Sequence, residues 1–327
     1  MNNLFRSSIL CLTLGFWGCT TVNQNQVAIA KDKAMVVVSH DVLCDLTQTI
    51  AADTIELNCL QDAGQNIHTY SPTPGDKQAI ESAQLILYGG YQLEPTITRL
   101  IQASNNPAPK IPIYEMAVPQ PIMVEEHHHE GEEVAEKTHE EEELQPDSHV
   151  WHNVNNVMTI VESLQSLLVQ MNPNEAELYL QNAQALSQQL GQLNVWIGEQ
   201  IATIPQGKNI LVTAHDSLNY YAQAYNFADY KTLQGLGEDA GSTAARLGTL
   251  ATKVQEIGVA TIFAEAGESD RLINTIAREA NVQVGETPLL TEGLGQQGTP
   301  TDNYIGMMTT NTCAIVEGLG GQCTPFQ

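Results

Sequence analysis

The sequence predicts an α/β protein of two lobes, each built on a parallel sheet, with a long rigid helix joining them. Short apolar runs alternate with stretches of helical periodicity, and this alternation occurs once on each side of a long periodic stretch. Alternating strands and helices are typical of parallel sheets that helices cover on both faces. Two such series predict two lobes.

Each series has four apolar runs that predict buried strands, separated by amphipathic stretches that predict helices. The first series predicts strands at Met35–Ser39, Ile55–Cys59, Leu85–Tyr88 and Ile111–Tyr114, and helices at Val42–Ala51, Lys77–Ala83 and Leu93–Ala103. The second predicts strands at Ile210–Thr213, Tyr230–Leu233, Thr261–Ala264 and Val282–Gly285, and helices at Leu218–Tyr225, Ala244–Ile257, Arg271–Ala280 and Tyr304–Leu319.

A connecting helix is predicted between the two series. Asn172 is a good N-cap, Pro173 suits the first helical position, and Glu175 places an acid in the first turn. No further proline occurs before Pro205, and a helix of this length extends roughly 45 Å, which should keep lobe motion small. The predicted boundaries are 34–171 for the N-terminal lobe, 172–204 for the helix and 205–327 for the C-terminal lobe.

The N-terminus predicts a signal peptide over residues 1–19. Arg6 gives a positive start, and Ser7–Trp17 is an apolar stretch too short to span a bilayer as a helix. Gly18-Cys19 then matches a bacterial lipoprotein cleavage site, which favours lipidation of Cys19 over simple cleavage and secretion. With residues 20–33 as a polar tether, the chain would lie in the periplasm or on the outer face of the cytoplasmic membrane.

Charge excludes one class of partner. The 327 residues include 13 Lys and Arg, and the formal net charge is −25. Nucleic-acid binding needs basic residues that neutralise phosphates, whereas an acidic surface concentrates cations. Residues 125–143 hold ten Glu against one Lys without apolar periodicity, and this run predicts a disordered or mobile loop.

Four cysteines follow the targeting segment, and outside the cytoplasm they can be oxidised. Cys44 with Cys59 would tie the first helix to the second strand, and Cys313 with Cys323 would staple the C-terminus. The sequence alone permits three pairings, and free buried thiols are the alternative.

Four polar positions, far apart along the chain, predict a metal site. Each lies beside an apolar run or at a turn into a helix: His68, His149, His215 and Asp302. Three imidazoles and a carboxylate form a ligand set for tetrahedral zinc. Ligands from such distant connections would place the metal in the cleft between the lobes, which suits capture and release.

Each candidate also has an ordinary explanation. His68 lies in a proline-rich turn, where a lone histidine is usually solvated, and His149 has His152 as a rival. His215 is the strongest candidate because it directly follows a buried strand, at the edge where parallel sheets bind ligands. Asp302 could merely cap the last helix.

The stretch Leu289–Thr301 is rich in Gly and Thr and predicts a loop. Within it, residues 293–298 match the dinucleotide pattern G-x-G-x-x-G. No clear helix follows directly, and the match is not in a first βαβ unit, so we reject nucleotide binding.

These segments resemble one family, the substrate-binding lipoproteins of zinc and manganese ABC importers (the ZnuA/TroA type), over about residues 34–325. The run His-Thr-Tyr-Ser-Pro-Thr-Pro at 68–74 resembles its first ligand motif. Residues 147–151 resemble its Asp-Pro-His-x-Trp motif, with Ser148 in place of proline. His215-Asp216, followed by Tyr220-Tyr221, resembles the third ligand segment of the family. Asp302-Asn303-Tyr304, with Met308 and Asn311, resembles the fourth.

The resemblance implies two (β/α)4 lobes, a spanning helix and a metal at the lobe interface. His68 and His149 would come from the first lobe, and His215 and Asp302 from the second. It also implies the partners, which are the membrane permease and the ATPase of an ABC importer, served by a monomeric binding protein.

The ligand types favour zinc over manganese. Manganese-type members of the family tend to carry a carboxylate at the third ligand position, whereas this chain has His215. Three nitrogens with one carboxylate suit Zn²⁺, which the intrinsic affinity order also places above Mn²⁺. We therefore expect Zn²⁺ as the transported ion, with Mn²⁺ as the alternative.

The acidic loop contains four histidines and is common in zinc-specific members of the family: His127, His128, His129 and His139. The loop has three interpretations, which are a weak zinc collector, a sensor of excess metal and a solvated linker. Its density of imidazoles and carboxylates favours weak metal binding.

Catalysis is the competing class of function. A zinc hydrolase needs an open ligand position and a general base, but the sequence has no His-Glu-x-x-His helix, and four protein ligands leave no vacancy. Glu265 and His40 lie at strand ends and could approach the metal, where we expect them to orient its ligands. Surface adhesion or metal storage is a third class. The sequence thus predicts a binding protein rather than an enzyme.

Overall fold

The computed structural model describes residues 33–125, 144–236, 243–267 and 270–327. The predictions for the signal peptide, for Cys19 and for the loop histidines His127, His128, His129 and His139 lie outside these residues. Residues Lys33–Gln327 cluster as one compact unit, so the division into two lobes stays a prediction. Among the described helices, none has both the length and the apolar character that crossing a bilayer requires.

The N-terminal half is a run of four strand–helix units around one parallel sheet. The elements are β1 Ala34–Val38, α1 Asp41–Ala51, β2 Ile55–Cys59, α2 Pro74–Ser82, β3 Leu85–Tyr88, α3 Pro95–Ala103, β4 Lys110–Pro112 and α4 Ile113–Ala117. The strand order is β2-β1-β3-β4, and every pairing is parallel. The carboxyl ends of these strands therefore share one edge.

The prediction of a strand over Ile111–Tyr114 is only partly right. The strand ends at Pro112, and the short helix α4 begins at Ile113. Ile113 and Tyr114 are fully buried as the first residues of that helix. A short apolar run looks the same whether a strand or a buried helix uses it, so its periodicity could not locate this boundary.

A small antiparallel hairpin, which the sequence did not indicate, brackets the acidic loop. Its strands are β5 Met123–Glu125 and β6 Leu144–Pro146. A 3-10 turn at Val150–His152 and helix α5 Val154–Met171 follow. The second strand of the hairpin ends at Pro146, three residues before His149.

The long helix is present as α6 Ala176–Ile201, which has 26 residues, preceded by a 3-10 turn at Pro173–Glu175. At about 1.5 Å per residue it extends about 39 Å. Asn172 makes no side-chain capping hydrogen bond, so that part of the prediction is wrong.

One face of α6 packs against helices from both halves of the chain. The helix packs against α1 and α5 in the N-terminal half and against the last helix of the chain. Its buried apolar residues recur every three or four positions, as a core-facing helix requires: Tyr179, Ala183, Leu186, Leu190, Leu193 and Ile197.

The C-terminal half repeats the alternation. Its elements are β7 Ile210–Thr213, α7 Asn219–Ala224, β8 Asp229–Thr232, α8 Leu233–Leu236, α9 Thr243–Ile257, β9 Thr261–Ile262, α10 Asp270–Ala280, β10 Gln283–Val284 and α11 Tyr304–Gly318. β7 pairs with β8 and β9 pairs with β10, both in parallel. The Phe263 amide donates to the Val212 carbonyl at 2.9 Å and joins the two pairs. The predicted α/β class, with parallel sheets and a long helix, is confirmed.

Two disulfides brace the chain. Cys44 on α1 is bonded to Cys59 at the end of β2, with Cα atoms 6.0 Å apart. Cys313 on α11 is bonded to Cys323 in the C-terminal tail, with Cα atoms 5.2 Å apart. These are the two pairings that the sequence analysis named as possible.

Candidate metal centre

Three of the four predicted ligands meet in one place. His68, His149 and His215 each offer a nitrogen, and Glu292 offers a carboxylate oxygen, so that four potential ligand atoms lie within 4.8 Å of one another. The Nε2 atoms of His68 and His149 are 3.1 Å apart. Two of the residues come from the N-terminal half and two from the C-terminal half.

His68 lies in the turn between β2 and α2. Its amide donates to Asn66 Oδ1 at 2.9 Å. Downstream, Thr73 and Asp76 form a reciprocal capping box at the start of α2, with Pro74 at the first helical position, which fixes the entry to the helix. The predicted turn is present at His68, where the Tyr70 amide donates to the Ile67 carbonyl at 3.4 Å, and it places the imidazole in the cluster.

His149 is oriented by a carboxylate two residues away. Asp147 Oδ1 accepts from the His149 amide at 2.9 Å and lies 2.8 Å from its Nδ1. Asn219 Nδ2 donates to the other oxygen of Asp147 at 3.1 Å. A proton on Nδ1 leaves Nε2 free to bind a metal.

His215 directly follows β7, and Glu265 orients it in the same way. Glu265 Oε2 is 2.6 Å from His215 Nδ1, while Oε1 accepts from the amides of Ala214 and His215 at 2.9 and 3.0 Å. Glu265 therefore lies outside the four-residue cluster and contacts the imidazole of His215.

Glu292 is the residue that the sequence analysis missed. Its Oε1 is 2.7 Å from His215 Nε2 and 3.5 Å from His149 Nε2, and its Oε2 is 3.0 Å from His68 Nε2. A single carboxylate thus faces all three imidazoles. Its side chain is 6% exposed, against 8% for His149 and 14% for each of the other two histidines.

Asp302 is not part of the cluster, and its assignment as the fourth ligand is corrected here. Its Oδ2 accepts from the Gly298 amide at 2.8 Å, and its Oδ1 accepts from Asn303 Nδ2 at 3.1 Å. Both oxygens therefore hold the turn before α11. The cap of that helix is Asn303, whose Oδ1 accepts from the Gly306 amide at 2.9 Å.

A local signal for Glu292 does exist. The apolar pair Leu289-Leu290 precedes it, and Leu289 pairs in parallel with Glu265 in an isolated bridge. An acid that follows a short buried extended segment occupies the same kind of position as His215 after β7. The Gly-rich residues beyond it hid this signal, because they gave the whole stretch the composition of a loop.

His40 and His152 are close to the cluster, but they donate to backbone instead. His40 Nε2 lies 3.2 Å from the Glu292 carbonyl oxygen, and His152 Nε2 lies 2.9 Å from the Thr291 carbonyl oxygen. Burial lowers the pKa of His40 to about 3 and that of His152 to about 4. Both imidazoles are therefore neutral near neutral pH.

The electrostatics of the cluster are those of paired opposite charges. Burial alone would lower the pKa of His149, but the Glu292 charge and the hydrogen bond to Asp147 raise it to about 10. Burial would likewise raise the pKa of Glu292, but the neighbouring His68 and His149 hold it well below its usual value. The pKa of His215 is raised well above its usual value, because Glu265 and Glu292 outweigh its burial. A cation that enters must displace these protons.

Comparison with known proteins agrees with the fold and identifies the family. A family model described as ZnuA, zinc-uptake complex component A, periplasmic, matches residues 36–318. The metal ABC transporter substrate-binding lipoprotein SsaB of Streptococcus sanguinis is 26% identical over 319 residues, which are 96% of this chain and 98% of the relative. The manganese-binding lipoprotein MntA of Halalkalibacterium halodurans is 27% identical over 285 residues, which are 87% of this chain and 88% of the relative.

Among solved structures, the periplasmic zinc-binding protein TroA from Treponema pallidum matches with a TM-score of 0.75 at 26% identity. The match covers 88% of this chain and 99% of that protein. The relatives are named for zinc, for manganese or for metal in general, so their names agree on the class of cargo and differ on the ion. The chain belongs to the ZnuA family, the periplasmic metal-binding proteins that serve ABC transporters.

Proposed function

We propose that this protein captures Zn²⁺ outside the cytoplasm and delivers it to the permease of an ABC importer. Its ligands are His68, His149, His215 and Glu292. The observation that carries the proposal is the convergence of three imidazole nitrogens and one carboxylate within 4.8 Å. Zn²⁺ here is cargo, so the site must release it as well as bind it.

The donor set supports zinc. Zn²⁺ favours four ligands and borderline imidazole nitrogen, whereas oxygen-rich six-coordinate sites suit Mn²⁺. The carboxylates of Asp147 and Glu265 on the outer nitrogens of His149 and His215 raise the basicity of these two ligands. The preference for zinc does not depend on whether Asp302 or Glu292 is the fourth ligand, because either gives three nitrogens and one carboxylate.

Manganese is the second candidate, because one relative matched over most of its length is named a manganese-binding lipoprotein. A direct test is elemental analysis of the protein purified from its own envelope without added metal. Zinc at about one equivalent supports the proposal. About one equivalent of manganese, which equimolar zinc does not displace, contradicts the proposal.

The site supports binding rather than hydrolysis. The four protein ligands fill a tetrahedral shell, and a catalytic zinc would need a vacant position for water. Glu265, the nearest candidate base, already accepts from two amides and contacts His215 Nδ1. We therefore propose a monomer without catalytic activity that is anchored through Cys19 and delivers its cargo to a permease driven by an ATPase. Surface adhesion or metal storage is an alternative function. A transport assay distinguishes it, because deletion of the gene should lower zinc uptake only if the protein serves an importer.

The tight site and the acidic loop should be separable. His215→Ala removes one of four ligands and should weaken zinc binding by orders of magnitude. Deletion of residues 125–143 should leave the tight site almost unchanged, because none of its four ligands lies there. Calorimetric titration of both variants checks this, and equal losses in the two would contradict the ligand assignment.

A further inference from the structure

The residues Leu289–Leu294, here called the ligand segment, carry Glu292 and receive hydrogen bonds from both halves of the protein. The C-terminal half holds its first part. The Leu289 amide donates to the Ala264 carbonyl at 2.8 Å. Asn311 pairs with both backbone groups of Leu290, at 2.9 and 2.7 Å. These bonds end before Glu292.

The backbone on both sides of Glu292 is held by side chains of the N-terminal half. His152 Nε2 is 2.9 Å from the Thr291 carbonyl oxygen. His40 Nε2 and Gln61 Nε2 are 3.2 and 3.4 Å from the Glu292 carbonyl oxygen. The Leu294 amide donates to Asp41 Oδ2 at 2.8 Å. All four side chains belong to buried residues, of which Asp41 is the most exposed at 7%.

Gly293 allows this contact to be close. A Cβ atom at this position would lie 2.6 Å from both carboxylate oxygens of Asp41, and the φ angle of +154° is one that other residues rarely adopt. The backbone at Gly293 therefore packs directly on the Asp41 carboxylate. A side chain here would push the segment away from the N-terminal half.

The two histidines are arranged to donate. Tyr114 Oη lies 2.6 Å from His40 Nδ1, and a phenol that donates there leaves the proton of His40 on Nε2, toward the Glu292 carbonyl oxygen. His152 Nδ1 is buried without a hydrogen-bond partner, while its Nε2 meets the Thr291 carbonyl oxygen. Burying an unpaired polar atom costs free energy, so an apolar residue would suit this position better if packing were its only role.

We propose that His40, Asp41, Gln61 and His152 form a bracket that positions the ligand segment, so that residues of the N-terminal half set the place of the Glu292 carboxylate. They are positioning residues and not metal ligands. The inference rests on the proposed role of Glu292 in binding the metal.

The bracket explains how a ligand in a Gly-rich stretch is held against three imidazoles. Bonds from the C-terminal half hold the segment up to Thr291, whose hydroxyl donates to Glu265 Oε2 at 2.8 Å, and the next backbone bond within that half is from the Gly295 amide to the Thr301 carbonyl. Between these points only the Glu292 carboxylate, at His215 Nε2, contacts that half in the hydrogen bonds of the described residues. Without the bracket, the Glu292 carbonyl and the Leu294 amide would be buried and unpaired, and the carboxylate could move by more than the tolerance of a tetrahedral site. Loss of one bracket residue should weaken metal binding although no ligand is removed.

The test uses a matched pair of variants in the full-length mature protein. His152→Leu fills the space but cannot donate to the Thr291 carbonyl oxygen, whereas His152→Gln places an amide N–H near the position of Nε2. Zinc affinity is measured by competition with a chromophoric chelator, and the visible absorption of bound Co²⁺ reports the ligand geometry. Thermal unfolding of the metal-free proteins reports stability separately.

We expect His152→Leu to weaken zinc binding by about tenfold to a hundredfold, the range for residues that orient a ligand, and to change the Co²⁺ spectrum. His152→Gln should restore most of both. Wild-type affinity and spectrum in His152→Leu would overturn the inference, and so would equal losses in the two variants. If His152→Leu does not fold, Gln61→Met, which removes the donor to the Glu292 carbonyl oxygen at similar length, replaces it, and wild-type zinc affinity and Co²⁺ spectrum in that variant would overturn the inference. Failure of the wild type to bind zinc would instead refute the proposed function.

Discussion

At the scale of single residues, the site depends on carboxylates that act at two distances. Glu292 faces the inner nitrogens of the three histidines, while Asp147 and Glu265 hold the outer nitrogens of His149 and His215. In the metal-free protein the inner carboxylate stabilises protons on the imidazoles of His149 and His215, and the outer carboxylates fix which nitrogen is free. The two kinds of carboxylate should therefore respond differently to mutation.

The choice between Glu292 and Asp302 is the sharpest prediction at this scale. Glu292→Ala should weaken zinc binding by more than the roughly tenfold to hundredfold typical of residues that only orient a ligand. Asp302→Ala should leave the affinity close to that of the wild type, because its oxygens bond Gly298 and Asn303. Competition titration measures both. Equal affinities of the two variants, or a greater loss in Asp302→Ala, would refute the assignment.

The buried neutral histidines predict a pH effect on the metal-free protein. Burial lowers the pKa of His152 from 6.5 to about 4, so the folded state binds fewer protons than the unfolded state between these values. The stability that depends on His152 is therefore fully present above about pH 6.5 and is lost as the pH falls toward 4, by about 3 kcal/mol at most.

Other groups act in the opposite direction, so the test is a comparison. Burial raises the pKa of Asp41 to about 7, and the stability linked to that group is lost as the pH rises from about 4 to 7. Chemical denaturation of wild type and His152→Gln at several pH values isolates the histidine. The wild type should lose more stability on acidification, and parallel curves would show that His152 is not buried in the neutral form.

Three of the four clustered residues could be found from the sequence because each histidine stands next to a clear strand or turn. His215 follows the apolar run of β7, and His68 lies in a turn marked by prolines. Glu292 and Asp302 both lie in or beside one Gly-rich stretch, and local composition favours neither. The contacts that distinguish the two residues are distant in sequence for Glu292 and local for Asp302. The Glu292 backbone is held by His40 and Gln61, whereas the Asp302 side chain bonds residues of its own turn.

At the scale of elements, the alternation of strands and helices was predictable and their ends were not. The strands at Ile55–Cys59, Leu85–Tyr88 and Ile210–Thr213 have the predicted bounds. The last two are largely buried apolar runs, as strands inside a parallel sheet should be. Ile55–Cys59 is an edge strand with Glu56 and Asn58, so the prediction that it is buried is wrong. The hairpin β5–β6 was missed because its strands have three residues each. Helix α4 was missed because five residues carry too little periodicity.

The disulfide between α1 and β2 predicts a stability effect. The Cys44–Cys59 link has a sequence separation of 15, and closing such a loop contributes about 3 kcal/mol by restricting the unfolded chain. Replacing both cysteines by alanine should lower the free energy of unfolding by about that amount, measured by chemical denaturation under oxidising conditions. Reduction of the wild type would also open Cys313–Cys323, so the control compares wild type and variant with both reduced, where the difference between them should largely vanish. An unchanged denaturation midpoint under oxidising conditions would show that the Cys44–Cys59 link does not stabilise the fold.

At the scale of the whole molecule, the site exists only because two halves of the chain are held together. The ligands come in pairs from either half, α6 packs against helices of both, and the ligand segment of the C-terminal half is bonded by side chains of the N-terminal half. The general location of the site followed from the topology, since connections at the carboxyl ends of parallel strands meet at one edge. The bonds from the N-terminal half to the ligand segment pair residues more than 100 positions apart, and no local pattern encodes them.

The central claim is that His68, His149, His215 and Glu292 hold one cation, and anomalous diffraction from crystals grown with zinc tests it most directly. If these residues share one cation, the map should show a single strong peak at the zinc edge, about 2.0–2.2 Å from one nitrogen of each histidine and from a Glu292 oxygen. A peak beside Asp302, or one that lacks contact with any of the three imidazoles, would show that the ligand assignment is wrong.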